Sequence, residues 1–109
     1  MPHIATNRKK RSDRNHLIYL LTNIETGERY VGLTVKGNRT PKAALQDRWN
    51  KHVQRALCQG KSWKLCESIR RYGADNFSKE VIDIVRGKAA AHQREVQLKK
   101  ELAAALNTA

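Results

Sequence analysis

One acidic side chain stands out among the residues that could do chemistry. Near the C-terminus, Glu95 falls in the middle of an apolar stripe with helical spacing, made by Ala91, Leu98, Leu102 and Leu106. Burial of an unpaired carboxylate is costly, so Glu95 must be ion-paired, bound to a cation or exposed in a wet cleft. Two interpretations follow: a structural ion pair with Arg48 or another base, or a metal ligand or catalytic acid.

A basic pair lies in the middle of the chain. Arg48 and His52 are four residues apart, which places them along one flank of an apolar helical stripe formed by Leu45, Trp49 and Val53. Taken singly, Arg48 is explained as a residue at the border of the stripe whose charged group reaches solvent, and His52 as a polar residue with an ordinary hydrogen-bond partner. Taken together they suit a phosphate, because Arg can bind two phosphate oxygens while a neighbouring group moves a proton.

Two tyrosines complete the set of candidates. If the intervening hairpin turn has an even number of residues, Tyr19 and Tyr30 must lie on the same face of the two strands. Each is explained singly by strand packing. Because the reference pKa of a phenol is about 10, its use as a base at neutral pH requires nearby positive charge. Arg48 and a metal at Glu95 are the candidates for that charge.

The elements that must position these side chains follow from hydrophobic pattern and turn signals. Strands are predicted at 16–21, 29–35 and 77–85, the last buried on both faces at its end. The first helix begins after a Thr40 cap with Pro41 at its first position and ends at Gly60. The second is capped by Ser62 and ends at Tyr72 before Gly73, and the third covers 88–106. The order β-β-α-α-β-α predicts an α+β (α/β) fold with a small three-stranded antiparallel sheet flanked by helices.

Composition narrows the class of partner. The 109 residues hold 22 Lys and Arg against 10 Asp and Glu, a formal net charge of +12, so a neutral metabolic protein is disfavoured. We expect a basic N-terminal arm over 1–15 and one domain over 16–109. The arm serves as a solubilising tail or follows a phosphate backbone. We expect no membrane span, because the longest apolar run, LIYLL, is far too short to cross a bilayer. The two cysteines predict free thiols in a reducing cytoplasm.

Five short motifs occur in the order of a known family. Leu17-Ile18-Tyr19 and Tyr30-Val31-Gly32 resemble the paired motif that names the GIY-YIG nuclease family. The resemblance continues through Arg48-Trp49-Asn50-Lys51-His52, through Tyr72-Gly73 with Asn76-Phe77, and to Glu95 at the position of that family's metal-binding Glu. Leu17 replaces the first glycine of the family motif, the loop before the first helix is longer than in compact members, and only Leu106-Asn107 remains of the family's closing Gly-Tyr-Asn.

The resemblance implies an endonuclease that hydrolyses DNA with one Mg²⁺ (or Mn²⁺) ion. It implies that Tyr19 or Tyr30 deprotonates or orients the attacking water, and that Arg48 binds the scissile phosphate. His52 would hydrogen-bond a tyrosine and relay the proton, and Glu95 would hold the metal. Contacts to DNA are expected from Arg8, Lys9, Lys10, Arg11, Arg14, Lys36, Arg39, Lys42 and Lys51.

Three functional classes compete. The first is a stand-alone nuclease, and the compact chain favours a phage or mobile-element (homing-type) enzyme that works in the cytoplasm, with cutting of both strands suggesting a homodimer. The second is a catalytically silent DNA-binding protein on the same scaffold, which the retention of all five chemical positions disfavours. The third is a basic RNA-binding or ribosome-associated protein, which explains the charge but not Glu95.

Overall fold

The computed structural model describes residues 14–58 and 63–107, and within them the predicted order β-β-α-α-β-α is confirmed. The strands are β1 (Asn15–Asn23), β2 (Arg29–Val35) and β3 (Phe77–Arg86), and the helices are α1 (Pro41–Cys58), α2 (Lys64–Tyr72) and α3 (Lys88–Glu101). A short 3₁₀ turn, Ala74–Asn76, joins α2 to β3. No helix in the described part of the chain is long and apolar enough to cross a membrane.

The three strands form one antiparallel sheet in the order β2-β1-β3. Strand β1 is therefore central, and its residues from His16 to Leu21 are all buried, which accounts for its unbroken apolar run. In the β1–β2 register Tyr19 pairs with Gly32 and Leu21 pairs with Tyr30. Because residues two apart share a face, Tyr19 and Tyr30 lie diagonally on the same face, as the parity of the hairpin predicted.

Helices cover both faces of the sheet. Helices α1 and α2 pack on the face that carries Leu17, Tyr19 and Leu21 and close the larger core with Leu45, Trp49, Leu65 and Ile69. Leu98 of α3 packs on the opposite face, against Ile18, Leu20 and Val31. The two candidate tyrosines and the predicted acid therefore start from opposite layers of the fold, and they can meet only around an edge of the sheet.

A buried asparagine that the sequence analysis did not single out organises the β1–β2 turn. The Asn23 side chain is fully buried, and its Oδ1 accepts hydrogen bonds from the backbone N–H groups of Glu25 and Thr26 and from the Asn76 side chain. Its Nδ2 donates to the Ser68 hydroxyl at 3.0 Å. One side chain thus joins the hairpin turn to α2 and to the start of β3, and its buried polar atoms are satisfied.

The helix boundaries match the predictions in part. The Thr40 hydroxyl accepts a hydrogen bond from the Ala43 N–H at 3.2 Å, as expected of an N-cap with proline following. Helix α1 ends at Cys58, and the predicted signals Gly60 and Ser62 lie outside the described residues. The N-cap position of α2 is held by Trp63, whose side chain makes no capping bond, so the assignment of that cap to Ser62 was wrong. Gly73 follows α2 with φ of 90°, the positive value that favours glycine.

The last helix is shorter than predicted. It ends at Glu101, and the chain then turns across the outer edge of β2, so Leu106 lies beyond the helix and packs with the α1 and α2 core. The Leu106 N–H donates to the Arg29 carbonyl, and the Asn107 amide both accepts from the Val31 N–H and donates to the Val31 carbonyl at 2.8 Å. Residues 102–106 have good helix propensity, but the chain leaves the helix there to hydrogen-bond with the free edge of β2. Without these bonds that edge would expose unpaired backbone groups.

The third strand lies at the other edge and is less buried than predicted. Only Phe77 is buried in β3, and Ile84 is largely exposed, so the expectation of burial on both faces was wrong. The run of β-branched residues reflects strand propensity at an edge. It does not indicate a central position.

Candidate active site

The Tyr19 side chain is the centre of the candidate site. Its ring crosses directly over Gly32 of β2, where a Cβ atom would lie 2.6 Å from Tyr19 Cε2 and closer still to Cζ and the hydroxyl oxygen. The side chain is fully buried, and its hydroxyl lies 2.7 Å from His52 Nε2 and 3.4 Å from Arg48 Nε. Glycine at position 32 is therefore required by a close approach, because any side chain there would displace the phenol.

Helix α1 supplies the partners of that hydroxyl from consecutive turns. His52 is 2% exposed, and its Nδ1 is buried with no hydrogen-bond partner among the described residues. Burial, with the positive charges of Arg48 and Arg55 in addition, lowers the pKa of His52 to about 4. The imidazole is thus neutral at physiological pH. A neutral ring can accept a hydrogen bond from the Tyr19 hydroxyl at Nε2. The ring then carries its own N–H proton on Nδ1.

The phenols are less acidic than the sequence analysis required. Burial raises the pKa of Tyr19 above its usual value, the neighbouring Tyr30 raises it further, and Arg48 opposes the shift only in part. Burial also raises the pKa of Tyr30; Arg48 opposes this shift and Glu95 adds to it. The arginines alone therefore do not favour phenolate, since desolvation outweighs them, and the other candidate for that charge, a metal at Glu95, stays a prediction.

Tyr30 differs from Tyr19 in its access to solvent. It is partly exposed, its ring contacts the His52 ring edge-on with centroids 5.3 Å apart, and it lies 6.2 Å from the Tyr19 ring. A pocket of about 240 Å³ opens beside it, lined by Tyr30, His52, Trp63, Leu65, Lys99, Leu106 and Asn107. Of the two motif tyrosines, Tyr30 is the one that a molecule entering this pocket would meet.

The acid predicted at position 95 is buried, as its place in the stripe indicated. Its ionic neighbours are on its own helix: His92 Nδ1 lies 3.7 Å from Oε1, and Lys99 Nζ lies 3.9 Å from Oε2. Of the ion pair expected with Arg48 or another base, the Arg48 part is wrong: the bases near the carboxylate are Lys99 and His92. Both distances exceed those of a close hydrogen bond, so neither the Lys99 ammonium nor the His92 ring engages the carboxylate tightly.

Three residues near the site were missed in the sequence analysis. Arg55 lowers the pKa of both Tyr30 and His52, and Trp63 and Lys99 line the pocket. Arg55 could have been found, because it lies seven residues after Arg48 and so returns to the same helical face. Trp63 and Lys99 could not, because their approach to Tyr30 depends on how α2 and α3 pack around the edge of β2.

The basic residues expected to contact DNA are placed differently from one another. Arg8, Lys9, Lys10 and Arg11 lie outside the described residues, as does most of the predicted arm. Arg14, Lys42 and Lys51 are exposed, and Lys36 is half-buried. Arg39 is engaged within its own loop: it donates to Asp47 at 2.7 Å and to the carbonyls of Lys36 and Val35. Arg39 therefore closes the 36–40 loop onto α1.

Comparison with known proteins gives one finding. The family model described as the GIY-YIG catalytic domain matches residues 15–108, which is most of the chain and includes every residue of the candidate site. Neither a curated protein nor a solved structure matches the chain significantly.

The close approach of Tyr19 to Gly32 generates one test. Gly32→Ala is expected to destabilise the fold by about 1–3 kcal/mol, because the added methyl group overpacks the interface between the strands. In a Tyr19→Ala background the same change should cost much less, since the ring is gone. Urea unfolding of the four proteins in this double-mutant cycle measures the coupling. Additive costs in the two backgrounds would show that the ring does not constrain position 32.

The buried neutral imidazole generates a second test. Because the pKa of His52 is about 4 in the folded protein and about 6.5 when unfolded, the unfolded chain binds the proton first as pH falls. Stability from the neutral ring is therefore complete above pH 6.5 and is lost between about 6.5 and 4, by at most about 3 kcal/mol.

The measurement is the free energy of unfolding against pH for the wild type and for His52→Asn, which does not titrate. All other titrating groups are common to both proteins, so the difference between the two curves isolates position 52. Parallel curves through this pH interval would contradict a buried neutral imidazole.

Proposed function

The chain belongs to the GIY-YIG family, whose members are nucleases, and from this premise we propose that it is a metal-dependent endonuclease that hydrolyses DNA phosphodiester bonds. The observation that carries the proposal is the Tyr19–His52–Arg48 cluster. It holds three groups with no packing reason to meet in a buried place, and it supports the roles that the family motifs imply. Buried polar clusters of this kind are costly to a fold, which favours a functional explanation for them.

The buried Glu95 carboxylate, rather than a ready-made cluster of ligands, is the candidate for holding a divalent ion. No group of three or more His, Cys, Asp or Glu side chains is arranged to hold a metal among the residues that the structure describes. Glu95 is a loosely paired carboxylate, and Mg²⁺ is usually bound by one or two carboxylates together with water and substrate phosphate oxygens. We therefore assign the ion to Glu95, with Mg²⁺ or Mn²⁺ as candidates. When bound, the ion would supply positive charge at the scissile phosphate and its departing oxygen.

Arg48 would bind the scissile phosphate. Its Nε donates to the Tyr19 hydroxyl, which leaves its other guanidinium nitrogens for two phosphate oxygens. Negative charge that develops on the phosphate would be stabilised there by a fixed donor in a partly buried position, where such contacts act most strongly. Arg48 would thereby tie the position of the phosphate to the position of the phenol.

We propose that Tyr30, the more accessible phenol, orients the attacking water. Tyr19 and His52 would adjust the charge on the Tyr30 hydroxyl from the buried side of the site. A cation bound at Glu95 would offset the negative charge that raises the pKa of Tyr30. Tyr19 itself is buried against Gly32 and His52, so its role is to transfer or hold a proton between Tyr30 and the imidazole.

Removal of the carboxylate tests the proposed function. With supercoiled plasmid and Mg²⁺, Glu95→Ala is expected to lower the cleavage rate by at least about 100-fold, because the ion loses its protein ligand. EDTA should abolish cleavage by the wild type. Glu101→Gln is the matched control, since Glu101 is an exposed acid on the same helix. Binding of plasmid by the wild type without Mg²⁺-dependent cleavage would overturn the proposal and favour a silent DNA-binding protein.

Phenylalanine variants distinguish the roles proposed for the two tyrosines. Tyr30→Phe is expected to reduce the single-turnover cleavage rate by about 100-fold or more, the usual contribution of a proton-transfer group. Tyr19→Phe should cost less, because the ring still packs on Gly32 and only the internal hydrogen bonds are lost. Tyr72→Phe serves as the control. A larger loss in Tyr19→Phe than in Tyr30→Phe would reverse the assignment.

A further inference from the structure

An exposed tryptophan stands at the mouth of the candidate active site. Trp63 is 45% exposed, although large aromatic side chains are normally covered, and it lines the same pocket as Tyr30 and His52. The guanidinium of Arg55 lies 5.6 Å from the centre of its ring system. An indole beside a catalytic pocket, with a cation over its ring, is a surface that suits a flat, electron-rich ligand next to a phosphate.

The position of Arg55 along α1 relates Trp63 to the scissile phosphate. Arg48, His52 and Arg55 lie on one face of α1, and Arg48 and Arg55 are separated by seven residues, or about 10 Å along the helix axis. If Arg48 binds the scissile phosphate, Arg55 and the Trp63 ring beside it lie about two turns of α1 further along the same face. The pocket that Trp63 lines also has the apolar side chains of Leu65 and Leu106 and the amine of Lys99 in its lining.

The size and chemistry of this pocket favour one ring of a nucleic acid. At about 240 Å³ it is smaller than typical ligand pockets of roughly 300–1,000 Å³, so it suits a single base better than a whole nucleotide. Bases in single strands commonly stack on Trp, Tyr or Phe side chains, whereas stacked bases inside a duplex cannot reach such a ring. A base can therefore use Trp63 only if it is unpaired or turned out of the helix.

We propose that Trp63, backed by Arg55, is a base-stacking platform that makes the protein prefer DNA with an unpaired base beside the cleaved phosphate. This inference rests on the proposed nuclease function for its substrate class. It adds a specificity determinant that lies outside the cluster of Tyr19, Tyr30, Arg48 and His52.

The test compares two duplexes that differ by one bulged 2-aminopurine, with EDTA present so that neither is cut. Trp63→Ala is expected to weaken binding of the bulged duplex by about 5- to 150-fold and to leave the fully paired duplex unchanged. Trp63→Phe, which keeps a smaller aromatic face, should give an intermediate loss and guards against misfolding of the alanine variant. Ile24→Ala removes another exposed apolar side chain and is the matched control.

Fluorescence provides a readout that a purely structural role would not change. Stacking should quench both the 2-aminopurine emission and the Trp63 emission in the wild type, while buried Trp49 contributes a constant background. Equal losses on both duplexes, or bulged-duplex binding without quenching, would overturn the proposal. Failure of the wild type to cut either duplex with Mg²⁺ would instead count against the nuclease function, and the preference for the bulged duplex in EDTA would still decide the role of Trp63.

Discussion

Strand β1 lies at the centre of the sheet with a helical layer on each face, so the Tyr19 hydroxyl is placed where water does not reach. A buried hydroxyl must find partners within the protein, and here they come from α1, whose His52 and Arg48 meet it at 2.7 and 3.4 Å. Gly32 makes this possible, since only a residue without a side chain lets the ring cross the neighbouring strand. The hydrogen bonds of the Tyr19 hydroxyl thus help to fix the position of α1 relative to the sheet.

This arrangement has an electrostatic consequence. Burial keeps Tyr19 and Tyr30 protonated and His52 neutral, so these three rings carry little charge. Positive charge comes from Arg48 and Arg55 along α1, and Glu95 supplies negative charge near Tyr30. A phosphate and a divalent cation arriving together would satisfy both signs. In the proposed nuclease, part of the charge balance of the site would thus come from the substrate and the metal.

The sequence was most informative where local pattern and burial agree. The order of elements along the chain, the shared face of the tyrosines and the burial of Glu95 were all predicted from local pattern, because each depends on turn signals and on the periods of strand and helix. The end of α3 does not follow from spacing. Residues 102–106 have the composition of a helix, yet the free edge of β2 offers hydrogen bonds that are visible only once the sheet is formed. The ionisation of the phenols was likewise out of reach, since desolvation depends on the packing of all three layers.

The segment after α3 also explains how residues from opposite layers come to one pocket. Glu95 and Lys99 start from the layer that covers Ile18 and Val31, whereas Tyr30 faces the other layer. Strand β2 is an edge strand, so α3 can lie along its border, and the Asn107 clamp on Val31 holds the chain around that border. If β2 were central, the sheet would separate the carboxylate from the phenol. The edge position of β2 is thus a requirement of the site, and Asn107 gives this edge the hydrogen bonds that a further strand would otherwise provide.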